Sequence, residues 1–274
     1  MKKILVPTDF SDEATNASTL AIELAEKSKG EIHFLHLMSI PVDWLQIDDQ
    51  KAIYPEITTQ VEHAKNQLDY WKEQARQLNL TAKSYIHYNE SQTGILKYAN
   101  EENVDLIVMG SKGASGFKEI LIGSNTERIV RHAHCPVLVV KEKISFAQIK
   151  KIMFPTNLEA SQNKIAQVAY QWMNICDAKL TIVRLNTHYH WVDSMKFIEE
   201  IDSFAAENGI TSYEARTFDA DYIEDGIIEC AETINCDLIV MGTHNRTGIA
   251  HIIAGSVAED VANHAKRLIL TISL

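Results

Sequence analysis

The chain has few cysteines, no long apolar run and a shortage of positive charge, and each lack excludes something. Four cysteines, Cys135, Cys176, Cys230 and Cys236, are too few and too scattered over 274 residues for a disulfide scaffold. They read as reduced thiols, with Cys230 and Cys236 buried and inert. No stretch approaches the ~20 apolar residues that a membrane-spanning helix requires, so no membrane partner is expected. The opening MKKILVPTDFS turns polar at Thr8, short of the ~7–15 apolar residues of a secretion signal. A cytoplasmic protein is expected. Lys+Arg number 26 against 37 Asp+Glu, a formal net charge of −11. Divided at residue 144, the halves carry −4 and −7. Neither offers the positive excess that nucleic-acid binding exploits. GxxxxGK[ST] and GxGxxG are absent as well.

What is present is a repeat. Lys2-Lys3-Ile4-Leu5-Val6-Pro7-Thr8-Asp9 returns 148 residues later as Lys150-Lys151-Ile152-Met153-Phe154-Pro155-Thr156-Asn157. Asp105-Leu106-Ile107-Val108-Met109-Gly110 returns unchanged 132 residues later, as Asp237 to Gly242. Gly123/Gly255, Ser124/Ser256 and Glu127/Glu259 keep that second offset. The first copy therefore holds sixteen extra residues, placed in the irregular stretch Ser39–Pro55. A tandem duplication accounts for the length, with domains at 1–144 and 145–274. Residues 141–149 link them, and so short a linker packs the domains together.

Within each copy, short β-branched runs alternate with helical spacing. Ile4–Val6, Ile32–Met38, 81–87, Val104–Met109 and Pro136–Val140 read as strands. Residues 12–28, 56–79, 91–102 and 124–133 read as helices, the first capped by Ser11. Such alternation means an α/β fold, with a mostly parallel sheet joined by right-handed crossovers. Ligands of these sheets sit beyond the carboxyl ends of the strands. Two segments converge there in the first copy. One is Pro7-Thr8-Asp9. The other is Met109-Gly110, followed by Gly113, Gly116 and then Gly123-Ser124 opening a helix. Glycines let the backbone approach a phosphate closely, and a helix amino end adds partial positive charge.

The spacing Gly110-x2-Gly113-x9-Gly123-Ser124, with its flanking strand and helix, resembles the universal stress protein family in its tandem two-domain form. The resemblance covers nearly the whole chain, including the VPTDFS opening and the closing Cys135-Pro136-Val137-Leu138-Val139-Val140 strand. It implies two Rossmann-like domains of the adenine nucleotide alpha hydrolase type, each a five-stranded parallel sheet of order 3-2-1-4-5 flanked by helices. It further implies ATP, or ADP or AMP, with Mg2+ only as a companion of the phosphates. The loop glycines and Ser124 would hold phosphates and ribose, and Asp9 would lie beside the adenosine. Backbone at Leu37 would lie near the adenine, while Asn125 and Thr126 would add phosphate contacts. Last strands meet in dimers of the family; here Pro136–Val140 and Leu268–Ile272 would meet within the chain. A homodimer of the whole chain is compatible with this.

Plainer readings compete. Ser124 with Glu127, and Ser256 with Glu259, spell S-x-x-E capping boxes. Gly110, Gly113 and Gly116 could serve only a tight turn, and Asp9 only the entry to the first helix. The second copy is expected to hold a degenerate site, comprising Asn157, Gly242, Asn245, Arg246, Gly255 and Ser256. There Asn157 replaces an acid, and Asn245 puts a side chain where Gly113 stands. His132, His134, His188 and His190 read as surface histidines rather than metal ligands, and the four tryptophans as packing residues. No general base or metal-binding carboxylate cluster stands out near the loop. The reading is a regulatory nucleotide-binding protein; a slow ATPase or phosphotransferase and a scaffold with vestigial pockets are the alternatives.

Overall fold

The computed structural model describes residues 1–46, 53–90, 93–111, 123–188, 191–243 and 257–273. The first half runs β1 (Lys3–Pro7), α1 (Asp12–Ser28), β2 (Glu31–Met38), α2 (Pro55–Gln77), β3 (Ala82–Tyr88), α3 (Thr93–Glu101), β4 (Leu106–Gly110), α4 (Ser124–His132) and β5 (Val137–Val140). The second runs β6 (Lys151–Pro155), α5 (Asn163–Cys176), β7 (Lys179–Asn186), α6 (Ser194–Glu207), β8 (Glu214–Asp219), α7 (Ile223–Thr233), β9 (Leu238–Thr243), α8 (Val257–His264) and β10 (Leu268–Ser273). All ten strands form one sheet, ordered β3-β2-β1-β4-β5-β10-β9-β6-β7-β8. Each half is 3-2-1-4-5.

Strand residues alternate between two cores, because successive side chains leave a strand on opposite faces. Ile4 and Val6 join one apolar cluster with α1, α2, α5 and α6, through residues such as Leu20, Trp71, Trp172 and Phe204. Leu5 joins the other, with α3, α4, α7 and α8, through Tyr98, Ile129, Ile227 and Val261. Both clusters run unbroken from one half into the other. Phe34, Phe154 and Phe197 are fully buried in the first of them, each contributing about 1.5–3 kcal/mol by leaving water.

The halves meet where β5 and β10 pair antiparallel, Ile269 opposite Val139 and Leu270 opposite Leu138. The last strands thus join inside the chain, closing two sheet edges that would otherwise expose unpaired backbone. The link between the halves forms a 3-10 turn at Phe146–Gln148, and the Phe146 N–H donates to the Glu23 carboxylate on α1. Ile149 is fully buried. The first-copy insertion contains a 3-10 turn at Val42–Gln46, whose Trp44 packs with Ile40 and Val61 in a separate small cluster. Its residues 47–52 lie outside the described residues.

One repeated motif has a structural reason at the amino ends of the strands. Asp105 Oδ2 accepts the backbone N–H groups of Lys2 and Lys3 at 2.6 and 2.8 Å. Asp237 does the same for Lys150 and Lys151 at 2.8 and 2.9 Å. The paired Lys-Lys and Asp-Leu-Ile-Val-Met-Gly segments therefore recur together: each aspartate holds the start of the neighbouring strand.

Candidate nucleotide site

The carboxyl ends of β2, β1 and β4 leave the sheet side by side, with Pro7 opposite Leu35 and Leu5 opposite Ile107. Beyond β1, the Thr8 N–H donates to the Leu35 carbonyl at 2.9 Å, and Thr8 itself is buried. Its Oγ1 accepts the Phe10 N–H at 3.1 Å, with Phe10 at φ 64°. Asp9 is exposed, and its Oδ1 accepts the Ser11 N–H at 3.1 Å and the Ser11 hydroxyl at 2.7 Å. Ser11 in turn caps α1, accepting from the Ala14 N–H at 3.2 Å. One oxygen of Asp9 therefore shapes the helix entry.

The same turn stands in the second half. Leu158, at φ 62°, donates its N–H to Thr156 Oγ1 at 3.0 Å, and Glu159 donates to Asn157 Oδ1 at 3.2 Å. The turn needs only a side-chain carbonyl oxygen, which Asn supplies as well as Asp. Replacing Asp9 by Asn157 keeps the local structure and removes the charge.

On the β4 side, the Ser111 N–H donates to the Val140 carbonyl at 3.0 Å, and the Gly123 N–H donates to the Ser111 carbonyl at 2.8 Å. Residues 111 and 123 are thereby held together at the foot of the glycine segment. Gly123 is the cap residue of α4, at φ −66° and ψ 148°, with no side-chain cap. Ser124 is the first helical residue, so the S-x-x-E box of Ser124 and Glu127 is not formed. Ser124 and Asn125 are exposed. The first-turn N–H groups of a helix have no acceptor within it, and they carry its partial positive charge. Thr126 is buried, and its hydroxyl donates to the Gly110 carbonyl at 3.0 Å, tying the helix start to the strand end. Gly110 has a packing role: a Cβ there would stand 2.8 Å from the Glu13 carbonyl carbon on α1. Met109 is buried and Leu37 half-buried against the second cluster. Gly113 lies outside the described residues, as do Asn245, Arg246, Gly255 and Ser256; Gly242 ends β9 beside Thr243.

Sequence reasoning passed over His36 and Phe10. His36 Nδ1 lies 2.8 Å from the Thr8 carbonyl, to which it donates, and its ring packs on Phe10 at 4.5 Å. The available signal was the repeated Thr-Asx-apolar triplet, Thr8-Asp9-Phe10 and Thr156-Asn157-Leu158.

Elsewhere, all four cysteines are free and buried. Burial pushes the thiols of Cys135, Cys176 and Cys236 up to about 12 and that of Cys230 to about 11. His132, His134 and His188 are exposed, and His190 lies outside the described residues. No group of three His, Cys, Asp or Glu that could hold a metal ion occurs among the described residues. No described helix is long and apolar enough to cross a membrane. Of the four tryptophans, three are packed inside as expected, but Trp191 is 67% exposed.

Comparison with known proteins assigns the fold and the family together. The universal stress protein family model matches residues 1–141 and again 148–272. A universal stress protein of Methanocaldococcus jannaschii is 34% identical over 160 residues, covering 53% of this chain and 97% of the relative. One from Synechocystis is 27% identical over 291 residues and covers 99% of both chains. Among solved structures, a universal stress protein from Archaeoglobus fulgidus superimposes with a TM-score of 0.78 over 99% of this chain and 98% of its own, at 20% identity, a likeness of fold. This chain belongs to the universal stress protein family and carries two of its domains in tandem.

Proposed function

We propose that the first domain binds ATP, or its ADP and AMP forms, and that occupancy of this site regulates the protein's contacts with partners. The observation that carries the reading is the amino end of α4: its cap is a glycine that supplies no side-chain acceptor, and Ser124 and Asn125 are exposed behind it. Amide N–H groups there suit a phosphate chain. Members of this family bind adenine nucleotides. In this reading Gly110, Gly113, Gly123, Ser124 and Asn125 hold phosphates and ribose. Thr126 contributes its backbone N–H, its hydroxyl being engaged by Gly110. Pro7, Thr8, Asp9, Leu37 and Met109 line the adenosine end. Mg2+ would enter with the phosphates.

The second domain is a weakened partner in this proposal. Asn157 lacks the charge of Asp9, and Asn245 and Arg246 occupy the stretch where the first copy has Gly113 and Ala114. Arg246 pairs with a phosphate or fills the pocket. Isothermal titration of the full chain with ATP is expected to give one binding event per chain, lost in a first-domain variant and kept in the matching second-domain variant. Two equal events refute the asymmetry, and no event refutes the site. Nucleotide released from heat-denatured protein adds a check: ATP supports binding without turnover, whereas ADP after loading with ATP would make the domain a slow ATPase.

A further inference from the structure

At the outer edge of the second domain, β7 and β8 end near the start of α7, and a cleft of about 730 Å3 opens there. That volume suits a small molecule. Asn157 and Gly242 are not among its lining residues. Asp219, Asp221, Asp225 and Glu229 line it, and no lysine or arginine does among the described residues. His188 also lines the cleft, with Nε2 3.2 Å from Asp221 Oδ1.

Two aromatic rings share this lining, Trp191 at 67% and Tyr222 at 65% exposure. Their positions are built. Asn186, nine-tenths buried, clamps the backbone next to Trp191: its Nδ2 donates to the Val192 carbonyl at 3.2 Å and its Oδ1 accepts the Val192 N–H at 3.1 Å. The same Nδ2 donates to Asp219 Oδ1 at 3.1 Å, joining the tryptophan segment to the acidic wall. Tyr222 is the cap residue of α7, its carbonyl accepting the Gly226 N–H at 3.0 Å. Thr187, also more than nine-tenths buried, lines the cleft, and its hydroxyl has no hydrogen-bond partner among the described residues.

We propose that this cleft binds a small organic polycation of the di- or polyamine class. Carboxylates attract ammonium groups, and an aromatic face adds cation–π attraction that grows as water is excluded. The Thr187 oxygen accepts an ammonium N–H. Spacing sets the ligand apart from a metal ion. No three of these acidic and histidine groups converge tightly enough to hold one cation, whereas a chain with separated ammonium centres meets several of them at once.

The test is a titration of the full chain with spermidine, read by calorimetry and by Trp191 fluorescence. Saturable binding at one site is expected, weaker at high ionic strength. Trp191→Ala and Asp225→Asn, both at exposed positions, are each expected to weaken it about tenfold while leaving the circular dichroism spectrum and the ATP titration unchanged. Mg2+ at equal charge concentration is expected not to displace spermidine. Absence of saturable binding, an affinity indifferent to both variants, or full displacement by Mg2+ would each overturn the proposal. Because ATP is titrated separately, failure here is distinguishable from failure of the nucleotide site.

Discussion

Arg131 on α4 and Glu259 on α8 form a two-pronged ion pair across the junction of the two domains. Arg131 Nε donates to Glu259 Oε1 at 2.7 Å, and Nη2 donates to Oε2. Glu259 is the counterpart of Glu127, but the counterpart of Arg131 is Asn263. The pair is therefore made once, although the two halves repeat the same strand order. On the same junction, Lys141 Nζ donates to the Asn263 carbonyl at 3.0 Å. The Glu259 carboxylate raises the pKa of Arg131 and keeps it charged.

Removing Arg131 takes a two-pronged charged partner from the buried Glu259 carboxylate. Loss of one partner from a fully buried pair costs about 3–5 kcal/mol. The Arg131 side chain is 44% exposed, so water screens part of that cost, and Arg131→Met is expected to destabilise the chain by about 1–2 kcal/mol. Glu259→Gln is expected to cost less, and the double variant to be less than additive. Urea denaturation measures all three; an unchanged midpoint for Arg131→Met removes the pair as a stabiliser of the junction.

His33 predicts a pH dependence of stability. Its ring is fully buried, Nε2 2.8 Å from Glu31 Oε1 and Nδ1 2.7 Å from the Tyr98 hydroxyl. A neutral ring donating to Glu31 and accepting from Tyr98 is satisfied on both sides. Burial holds its pKa below 6.5; Lys83 and Lys3 push the same way, and Glu31 opposes them. The unfolded chain thus takes up the proton first as pH falls. The stability contributed by neutral His33 is whole above pH 6.5 and is lost as pH drops towards the folded value, by about 1.4 kcal/mol per unit. Denaturation curves between pH 7.5 and pH 5 are expected to show a shallower decline for His33→Gln than for the natural chain. Parallel curves for the two would refute the assignment.

Gly110→Ala tests whether that glycine is there for packing. The added methyl would meet the Glu13 backbone within 3.0 Å, a contact relieved only by moving α1 off β4. A loss of about 1–3 kcal/mol is expected in thermal or urea unfolding. A neutral result would return Gly110 to a ligand role alone.

Gly123→Asp separates stability from binding. An aspartate at the cap of α4 supplies the missing side-chain acceptor, a gain of about a few tenths of a kcal/mol over glycine. Its charge would also occupy the helix end proposed for phosphate. A slightly raised melting temperature with ATP affinity lowered at least about tenfold is expected. Unchanged ATP affinity would move the phosphates away from α4.

Repetition made much of the fold readable. Two copies of one strand-and-helix pattern implied two like sheets, and Ser11 marked the start of α1 correctly. Other details escaped because local pattern carries too little information about distant neighbours. Ser124 looked like a cap, but the chain places Gly123 there, since its N–H must reach the Ser111 carbonyl to fasten the loop. The bond of the Thr126 hydroxyl to the Gly110 carbonyl, sixteen residues away, was not legible in the sequence. Trp191 looked like core, yet it stands in solvent beside the Val192 backbone that Asn186 holds.

Period-two and helical spacing of apolar residues, twice over, determine the α/β architecture from sequence alone, because they are properties of neighbours along the chain. The pairing of β5 with β10, the single Arg131–Glu259 contact and the acidic, aromatic cleft at the far edge of the sheet belong to the tertiary structure. They join residues from 28 to 134 positions apart, such as Trp191 with Asp219 and Val137 with Thr271. Only the folded packing of strands and helices brings those groups within reach of each other.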